Sequence, residues 1–189
     1  NVVPVVRRDH GHQGNTTRSA LELVDTPLVL FVEHDTPVIG EVPWRNLCDA
    51  VLSDEARVIR LHHEASVLDV HRHLMIGEVT DVKGIPLLAT RQWSQRPHIA
   101  STDIYRKLIS TYFGAESRTM IEDVMHGVVD QACTTRTRGW DDWRLWIYHP
   151  EGDMKRSTHL DARGEDPKFE RDFVFAYDTD DVPPGAPYP

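Results

Sequence analysis

Two carboxylates separated by one residue follow the most apolar segment of the chain. Residues 28–32 form a continuous apolar run of strand length, and Glu33, His34 and Asp35 come directly after it. Mg²⁺ and Mn²⁺ prefer oxygen ligands and commonly take one or two carboxylates together with phosphate oxygens and water. This acidic pair is therefore suited to hold a metal ion on a diphosphate. Acidic residues are also typical of the point where a strand meets solvent, so both interpretations stay open.

A second acidic pair stands near the start of a predicted helix. Residues 119–132 have the apolar stripe of an amphipathic helix, and Glu122 and Asp123 lie in its first turn. Thr119 followed three residues later by Glu122 matches a capping box, and acidic side chains are favoured at a helix N-terminus. This interpretation gives Glu122 a structural role and leaves Asp123 for chemistry, with a carboxylate able to accept a proton from a hydroxyl.

The elements that must position these residues alternate between strand and helix patterns. We expect strands at residues 2–6, 28–32, 57–61, 67–73, 85–90, 144–148 and 154–159, and helices at 16–24, 44–52, 102–113 and 119–132. This alternation is typical of an α/β domain with a mainly parallel central sheet flanked by helices. Ligands bind beyond the carboxyl ends of strands in such sheets. We expect one domain over residues 1–177, followed by an extended acidic and proline-rich tail over 178–189.

Composition narrows the functional classes. The 189 residues are 40% hydrophobic and 27% charged, with a formal net charge of −9. An acidic chain is poorly suited to non-specific nucleic-acid binding, which needs cations that neutralise phosphates. No apolar run approaches the roughly 20 residues that span a bilayer. Cys48 and Cys133 are the only cysteines, so we expect no disulfide framework and a reducing, cytoplasmic compartment.

Three stretches in order resemble family-2 glycosyltransferases with the GT-A fold. In residues 14–35, a Gly-containing loop opens a helix that bears Arg18, and an apolar strand then ends in Glu33-His34-Asp35. That triplet is similar to the family's DXD-type metal motif, with Glu in the first place. Residues 119–123 resemble the segment that supplies the catalytic base, and residues 156–163 resemble the late segment in which a His completes the metal site. The family's first strand and helix, which hold part of the nucleoside pocket, have no counterpart before residues 2–6.

The resemblance implies a GT-A (Rossmann-like) fold and an inverting, hexosyltransferase-type reaction. A sugar would pass from a nucleotide-diphosphate donor to the hydroxyl of a carbohydrate or other acceptor. The side chains implied in the site are Asp35, Glu33 and His159 as ligands of Mn²⁺ or Mg²⁺, Asp123 as the base, and Arg18 and His34 as donor contacts. The donor sugar and the nucleotide base are not predicted.

The same resemblance implies that residues 93–101 face the acceptor. Trp93 would stack on a sugar face, and Gln95, Arg96 and His98 would offer hydrogen bonds. A loop tryptophan is also a common packing residue, so this role stays open for Trp93. The other tryptophans near the predicted strand 144–148 are expected to pack: Trp140, Trp143 and Trp146.

Two other functions remain possible on the sequence. If residues 67–73 form a strand, His71 and His73 share one face and could bind zinc in a metal-dependent hydrolase, with residues 62–64 (His-His-Glu) nearby. The alternative for these histidines is a polar strand edge. A non-catalytic module that binds a nucleotide-sugar or a carbohydrate is the third possibility.

Overall fold

A computed structural model describes residues 4–6, 11–115 and 117–160 of the chain. Its strands are β1 (Leu28–Phe31), β2 (Val58–Arg60), β3 (Met75–Val82), β4 (Ile85–Thr90), β5 (His98–Ser101) and β6 (Leu145–Tyr148). Its helices are α1 (His12–Leu21), α2 (Trp44–Leu52), a 3₁₀ helix (Asp69–Leu74), α3 (Thr102–Tyr112) and α4 (Ile121–Thr135).

The six strands form one mixed sheet in the order β1-β5-β2-β6-β4-β3. Only β2 and β6 pair in parallel, and the other four neighbouring pairs are antiparallel. The prediction of a mainly parallel, GT-A-type sheet is therefore wrong. Alternating strands and helices give a parallel sheet only where each helix crosses over between neighbouring strands, whereas here β5 lies between β1 and β2 and runs against both.

A tight hairpin accounts for another antiparallel pair. Lys83 and Gly84 join β3 to β4 with positive φ angles of 53° and 76°, the conformation that a two-residue hairpin turn of type I′ requires. Asp81 Oδ1 accepts a hydrogen bond of 3.1 Å from the Gly84 amide. Strand β3 is not among the strands predicted from the sequence, and the strand predicted at residues 67–73 is wrong, because the 3₁₀ helix lies there.

The mixed sheet still brings distant residues to one edge. Because β5 is antiparallel to β1 and β2, and β6 is parallel to β2, the strands β1, β2 and β6 all end at the same edge. We call this boundary of the sheet, at the carboxyl ends of β1, β2 and β6, the site edge. Phe31, His98, Arg60 and Ile147 are register partners across it. The segments that leave β1, β2 and β6, and the segment that enters β5, therefore meet there.

Each face of the sheet has its own core. Val58 and Leu145 pack with side chains of α1, α3 and α4, whereas Ile59 and Trp146 pack with α2 on the other face. This alternation follows from the two-residue period of a strand. In the described part of the chain β1 has one strand neighbour, and Leu30 is 49% exposed. The continuous apolar run at residues 28–32 is therefore not fully buried, because Leu30 faces solvent.

Most of the predicted elements are confirmed. Helices occur at all four predicted places, and strands occur within residues 28–32, 57–61, 85–90 and 144–148. Residues 154–159 form only two isolated bridges, Val38 with Ser157 and His62 with Lys155. Residues 4–6 carry no strand, while residues 2–3 of the predicted first strand and the predicted tail at 178–189 lie outside the described residues. None of the helices that the structure describes has the length and apolarity to cross a membrane.

Gly139 allows the chain to turn closely past the end of α4, which gives a stability prediction. A Cβ at this position would lie 1.8 Å from the Ala132 carbonyl oxygen. Because a backbone atom must move, we expect Gly139→Ala to lower the free energy of unfolding by about 1–3 kcal/mol or more. A Cβ added to Gly114 would have no neighbouring atom within 4 Å, so Gly114→Ala should change the free energy of unfolding by less than about 0.5 kcal/mol. Urea unfolding of both variants checks this, and equal effects would contradict the close approach.

Candidate functional site

The amide of Gln13 connects the two acidic pairs. Gln13 Nε2 donates a hydrogen bond of 2.6 Å to Glu33 Oε1. Gln13 Oε1 accepts from Gln95 Nε2 and from the backbone N–H of Ile121, each at 2.6 Å. The Gln95 amide N–H in turn donates to Glu122 Oε2 at 3.0 Å. The loop after β1, helix α1, the segment before β5 and the start of α4 are therefore held together at the site edge.

Glu33 and Glu122 are carboxyls that protonate more readily than usual. Burial raises the pKa of Glu33, and the charges of Asp35 and Glu122 raise it further. Burial also raises the pKa of Glu122, although the Gln95 amide, Arg96 and Arg60 favour its charged form. Desolvation opposes ionisation, and neighbouring like charges do the same. Both side chains are thus brought closer to the range in which a carboxylate can accept a proton at neutral pH.

The first turn of α4 assigns its two acids differently from the sequence prediction. The residue at the N-cap position is Met120, not Thr119, and the Asp123 carboxylate accepts a hydrogen bond from the Met120 backbone N–H. Asp123 is exposed, whereas Glu122 is directed toward Gln95. The capping role predicted for Glu122 therefore belongs to Asp123, and a catalytic role for Asp123 stays a prediction.

The segment after β6 returns to the end of β1. His159 Nε2 lies 3.8 Å from Asp35 Oδ2, and the Leu160 amide donates to the Asp35 carbonyl oxygen at 2.8 Å. The ring of His63 stands edge-on to His159 with 6.1 Å between centroids, and its Nδ1 is 2.6 Å from Ser157 Oγ. Burial, followed by the charges of Arg96 and His159, lowers the pKa of His63 to about 3. His63 is therefore neutral at pH 7.

Glu33, Asp35 and His159 are the side chains at this edge that could contact a metal ion. In the part of the chain that the structure describes, no group of three or more His, Cys, Asp or Glu side chains is arranged to hold one. The like charges of Glu33 and Asp35 nevertheless lie close enough to raise the pKa of Glu33, and a cation would relieve that repulsion. The two carboxylates fit an ion that takes its other ligands from phosphate oxygens and water. The metal centre stays a prediction.

Arg96 anchors the end of β2 to the start of β5. Its guanidinium holds both carboxylate oxygens of Glu64, one at 2.7 Å, and its Nη1 donates to His62 Nδ1 at 2.7 Å. Burial, followed by the charges of Arg96 and Arg60, lowers the pKa of His62 to about 2. Because Arg96 is committed to this largely buried ion pair, the hydrogen bond to an acceptor that was predicted for it has no support in this geometry.

The two predicted donor contacts, Arg18 and His34, differ in their surroundings. Arg18 donates to the carbonyl oxygens of Ile109, at 3.2 Å, and of Phe113, so it ties α1 to the end of α3. The His34 side chain is 95% exposed and lies 3.9 Å from Asp35.

Trp93 and His98 are buried among aromatic side chains rather than facing a ligand. Trp93 is 1% exposed and packs edge-on against Trp143, with 6.5 Å between centroids. His98 is fully buried and bonds to Tyr105 Oη at 3.0 Å. Neither can contact an acceptor, because the core covers both rings. The predicted packing of the other tryptophans is confirmed: Trp143 and Trp146 are buried, and Trp140 packs edge-on against Trp146.

A cavity of about 440 Å³ opens beside Glu122. The 3₁₀ helix contributes His71, His73 and Leu74 to its lining. The segment after β4 contributes Arg91 and Gln92, and α4 contributes Glu122, His126 and Asp130. The sequence pointed to the two histidines of the 3₁₀ helix, but it gave Glu122 only a structural role and did not indicate His126 or Asp130. Glu122, His126 and Asp130 are spaced by four, which places them on one helix face, and that spacing is the signal that could have found them.

Comparison of the chain with protein-family models and with curated proteins found no match. The function is therefore inferred from the geometry and chemistry of the site.

The raised carboxyl pKa values predict how stability depends on pH. The folded state holds the protons of Glu33 and Glu122 more tightly than the unfolded chain does. The free energy of unfolding therefore falls as pH rises from the unfolded carboxyl pKa, about 4.3, through the raised folded values. We expect Glu33→Gln and Glu122→Gln to melt above the wild type at pH 7.5, with an advantage that shrinks toward pH 4.

Thermal unfolding between pH 4 and pH 8 measures this effect. Glu78→Gln, at an exposed position on β3, is the matched control and should follow the wild type throughout. Variants that are less stable than the wild type at pH 7.5 by a margin that does not vary with pH would contradict the assigned burial of these two charges.

Proposed function

We propose that the protein is an inverting, divalent-metal-dependent glycosyltransferase that moves a sugar from a nucleotide-diphosphate donor to an acceptor hydroxyl. The observation that carries the proposal is the hydrogen-bond network from Glu33 through Gln13 and Gln95 to Glu122. It supports a site in which one acidic group faces a leaving diphosphate while another faces the attacking hydroxyl. The proposal uses this local arrangement and does not require a parallel sheet.

Glu122 is the general base in this proposal. The acceptor oxygen forms a bond to the anomeric carbon as the bond from that carbon to the diphosphate oxygen breaks. The electron pair of the broken bond leaves with the diphosphate, and the hydroxyl proton passes to Glu122. Glu122 suits this role because burial raises its pKa and because it lines the cavity. Asp123 instead bonds to the backbone N–H of Met120.

Glu33 and Asp35 form the diphosphate side of the site. When bound, a divalent cation would neutralise the charge that develops on the leaving diphosphate. The carboxylates of this chain would hold and orient that ion, with His159 beside Asp35 at 3.8 Å. Gln13 fixes the Glu33 carboxylate through one short hydrogen bond. A preorganised carboxylate needs little rearrangement when charge develops during the reaction.

A pair of isosteric variants tests the base. Glu122→Gln keeps the size of the side chain and an oxygen that can accept from the Gln95 amide, but it cannot take a proton. We expect turnover to fall by about 10²–10⁴-fold, the usual contribution of a positioned base, while the apparent affinity for the donor stays within about twofold. Steady-state kinetics with the donor and acceptor identified by screening measures both quantities.

Asp123→Asn is the matched control for that experiment. Because its side chain is exposed and bonded to its own helix, we expect turnover within about threefold of the wild type, since the hydrogen bond to Met120 survives in an amide. The reverse result, a large loss in Asp123→Asn and a small one in Glu122→Gln, would return the base to Asp123. Donor cleavage that proceeds at the same rate without any acceptor would indicate a hydrolase instead.

A thermal-shift screen tests the donor and metal side independently of turnover. Nucleoside diphosphates and nucleotide-sugars are added with and without Mn²⁺, each at saturating concentration. A ligand at a hundred times its dissociation constant should raise the free energy of unfolding by about 2.7 kcal/mol. We expect Mn²⁺-dependent stabilisation that is lost in Asp35→Asn. The matched control Asp103→Asn should keep it, because the Asp103 side chain is 95% exposed on α3. Stabilisation that Asp35→Asn leaves intact would contradict the assigned diphosphate side.

A further inference from the structure

The cavity beside Glu122 has no role in the donor side of the site. It lies between the 3₁₀ helix, the segment after β4 and the inner face of α4, and Glu122 is the one lining residue that also belongs to the network with Gln13. At about 440 Å³ it falls within the range of small-molecule pockets in proteins. A molecule bound there would lie against the Glu122 side chain.

The side chains that line the cavity offer many hydrogen-bonding groups. Seven of the eight lining residues carry polar side chains, Leu74 is the exception, and none is Phe, Tyr or Trp. The imidazole of His71 lines the cavity, and burial followed by the charges of Arg96 and Arg60 lowers its pKa to about 4. A neutral imidazole offers both a donor and an acceptor. Such a surface matches a ligand whose hydroxyls also both donate and accept.

The charges around the cavity leave little attraction for an ion. Arg91 Nε pairs with Asp130 Oδ1 at 3.1 Å, so these two lining charges offset each other. Glu122 faces the cavity, and the buried Arg60 guanidinium, which bonds to Gln92, lies close enough to favour the charged form of Glu122. An anion would meet the carboxylates of Glu122 and Asp130, and a cation would meet Arg91 and Arg60. An uncharged ligand avoids both penalties.

We propose that this cavity is the acceptor site and that it takes an uncharged, polyhydroxylated molecule, a neutral sugar, with one hydroxyl presented to Glu122. That the bound sugar serves as an acceptor rests on the proposed function, whereas the binding of a neutral sugar can be tested without it. His71 is the side chain that selects for hydroxyls, and Glu122 is the one that receives the proton.

Ligand-observed NMR on the full chain tests the binding directly. The probes are the methyl glycosides of glucose, galactose, mannose and N-acetylglucosamine as neutral ligands, with glucuronate and glucosamine as charged ones. His71→Ala is compared with Arg72→Ala, a matched control on the same 3₁₀ helix whose side chain is 73% exposed and pairs with Asp69 at 2.7 Å. His73→Ala, at an exposed lining position, supplies a second variant in case the half-buried His71 position affects folding.

The expected result is binding of at least one neutral sugar that His71→Ala weakens tenfold or more and that Arg72→Ala leaves unchanged. Binding that neither His71→Ala nor His73→Ala alters, a preference for glucuronate or glucosamine, or no binding of any neutral sugar would overturn the assignment. If the wild type transfers sugar while the acceptor KM of His71→Ala and His73→Ala is unchanged, the proposed function stands and this cavity is not its acceptor site. If a neutral sugar binds as expected but no donor is ever turned over, the neutral-sugar site stands and the transferase proposal fails.

Discussion

The site depends on the fixed orientation of one amide side chain. Gln13 Oε1 receives two donors, Gln95 Nε2 and the Ile121 backbone N–H, each at 2.6 Å. Because an amide has one oxygen and one nitrogen, Nε2 must then point to the carboxylate of Glu33. A carboxylate in place of this amide would add a third negative charge beside Glu33 and Glu122, and an apolar side chain would leave a helix N–H and a half-buried carboxylate without a partner. Glutamine satisfies both sides at once, and this makes the acids of two distant segments members of one site.

Strand direction explains why these segments meet at all. The edge at which β1, β2 and β6 end collects three loops, and β5 begins at the same edge because it runs the opposite way. A mainly parallel sheet is one way to gather loop residues, but a mixed sheet does so equally well when several of its strands run in the same direction. The buried Arg96–Glu64 pair then joins the entry of β5 to the exit of β2. Removing either partner would leave an uncompensated charge, so this pair holds the loops in register with the sheet.

The sequence predicts local structure here better than it predicts how strands pair. Helices α2 and α4 could be found because their apolar residues recur at helical spacing. Strand β6 could be found because its four residues form an apolar run, and all four are buried in the structure. The direction of each strand depends on contacts between distant segments, which no local pattern records, and this is why a mainly parallel sheet was predicted. Glu33 and Asp35 could be placed at a strand end from the sequence. Trp93 could not be assigned correctly, since only the fold shows that Trp143 and Tyr105 cover its ring.

The choice between Glu122 and Asp123 turns on a single residue at the start of α4. With Thr119 as the N-cap, the third helical position falls on Glu122, and a capping box would bind that side chain to its own helix. With Met120 at the cap, the third position is Asp123, which reaches back to the Met120 N–H instead. Neighbouring residues on an α-helix point about 100° apart. The side chain of Glu122, one residue before Asp123, therefore points away from the exposed face and belongs to the buried network with Gln95. Burial then raises the pKa of Glu122, and the proton acceptance at neutral pH that we propose for it depends on that shift.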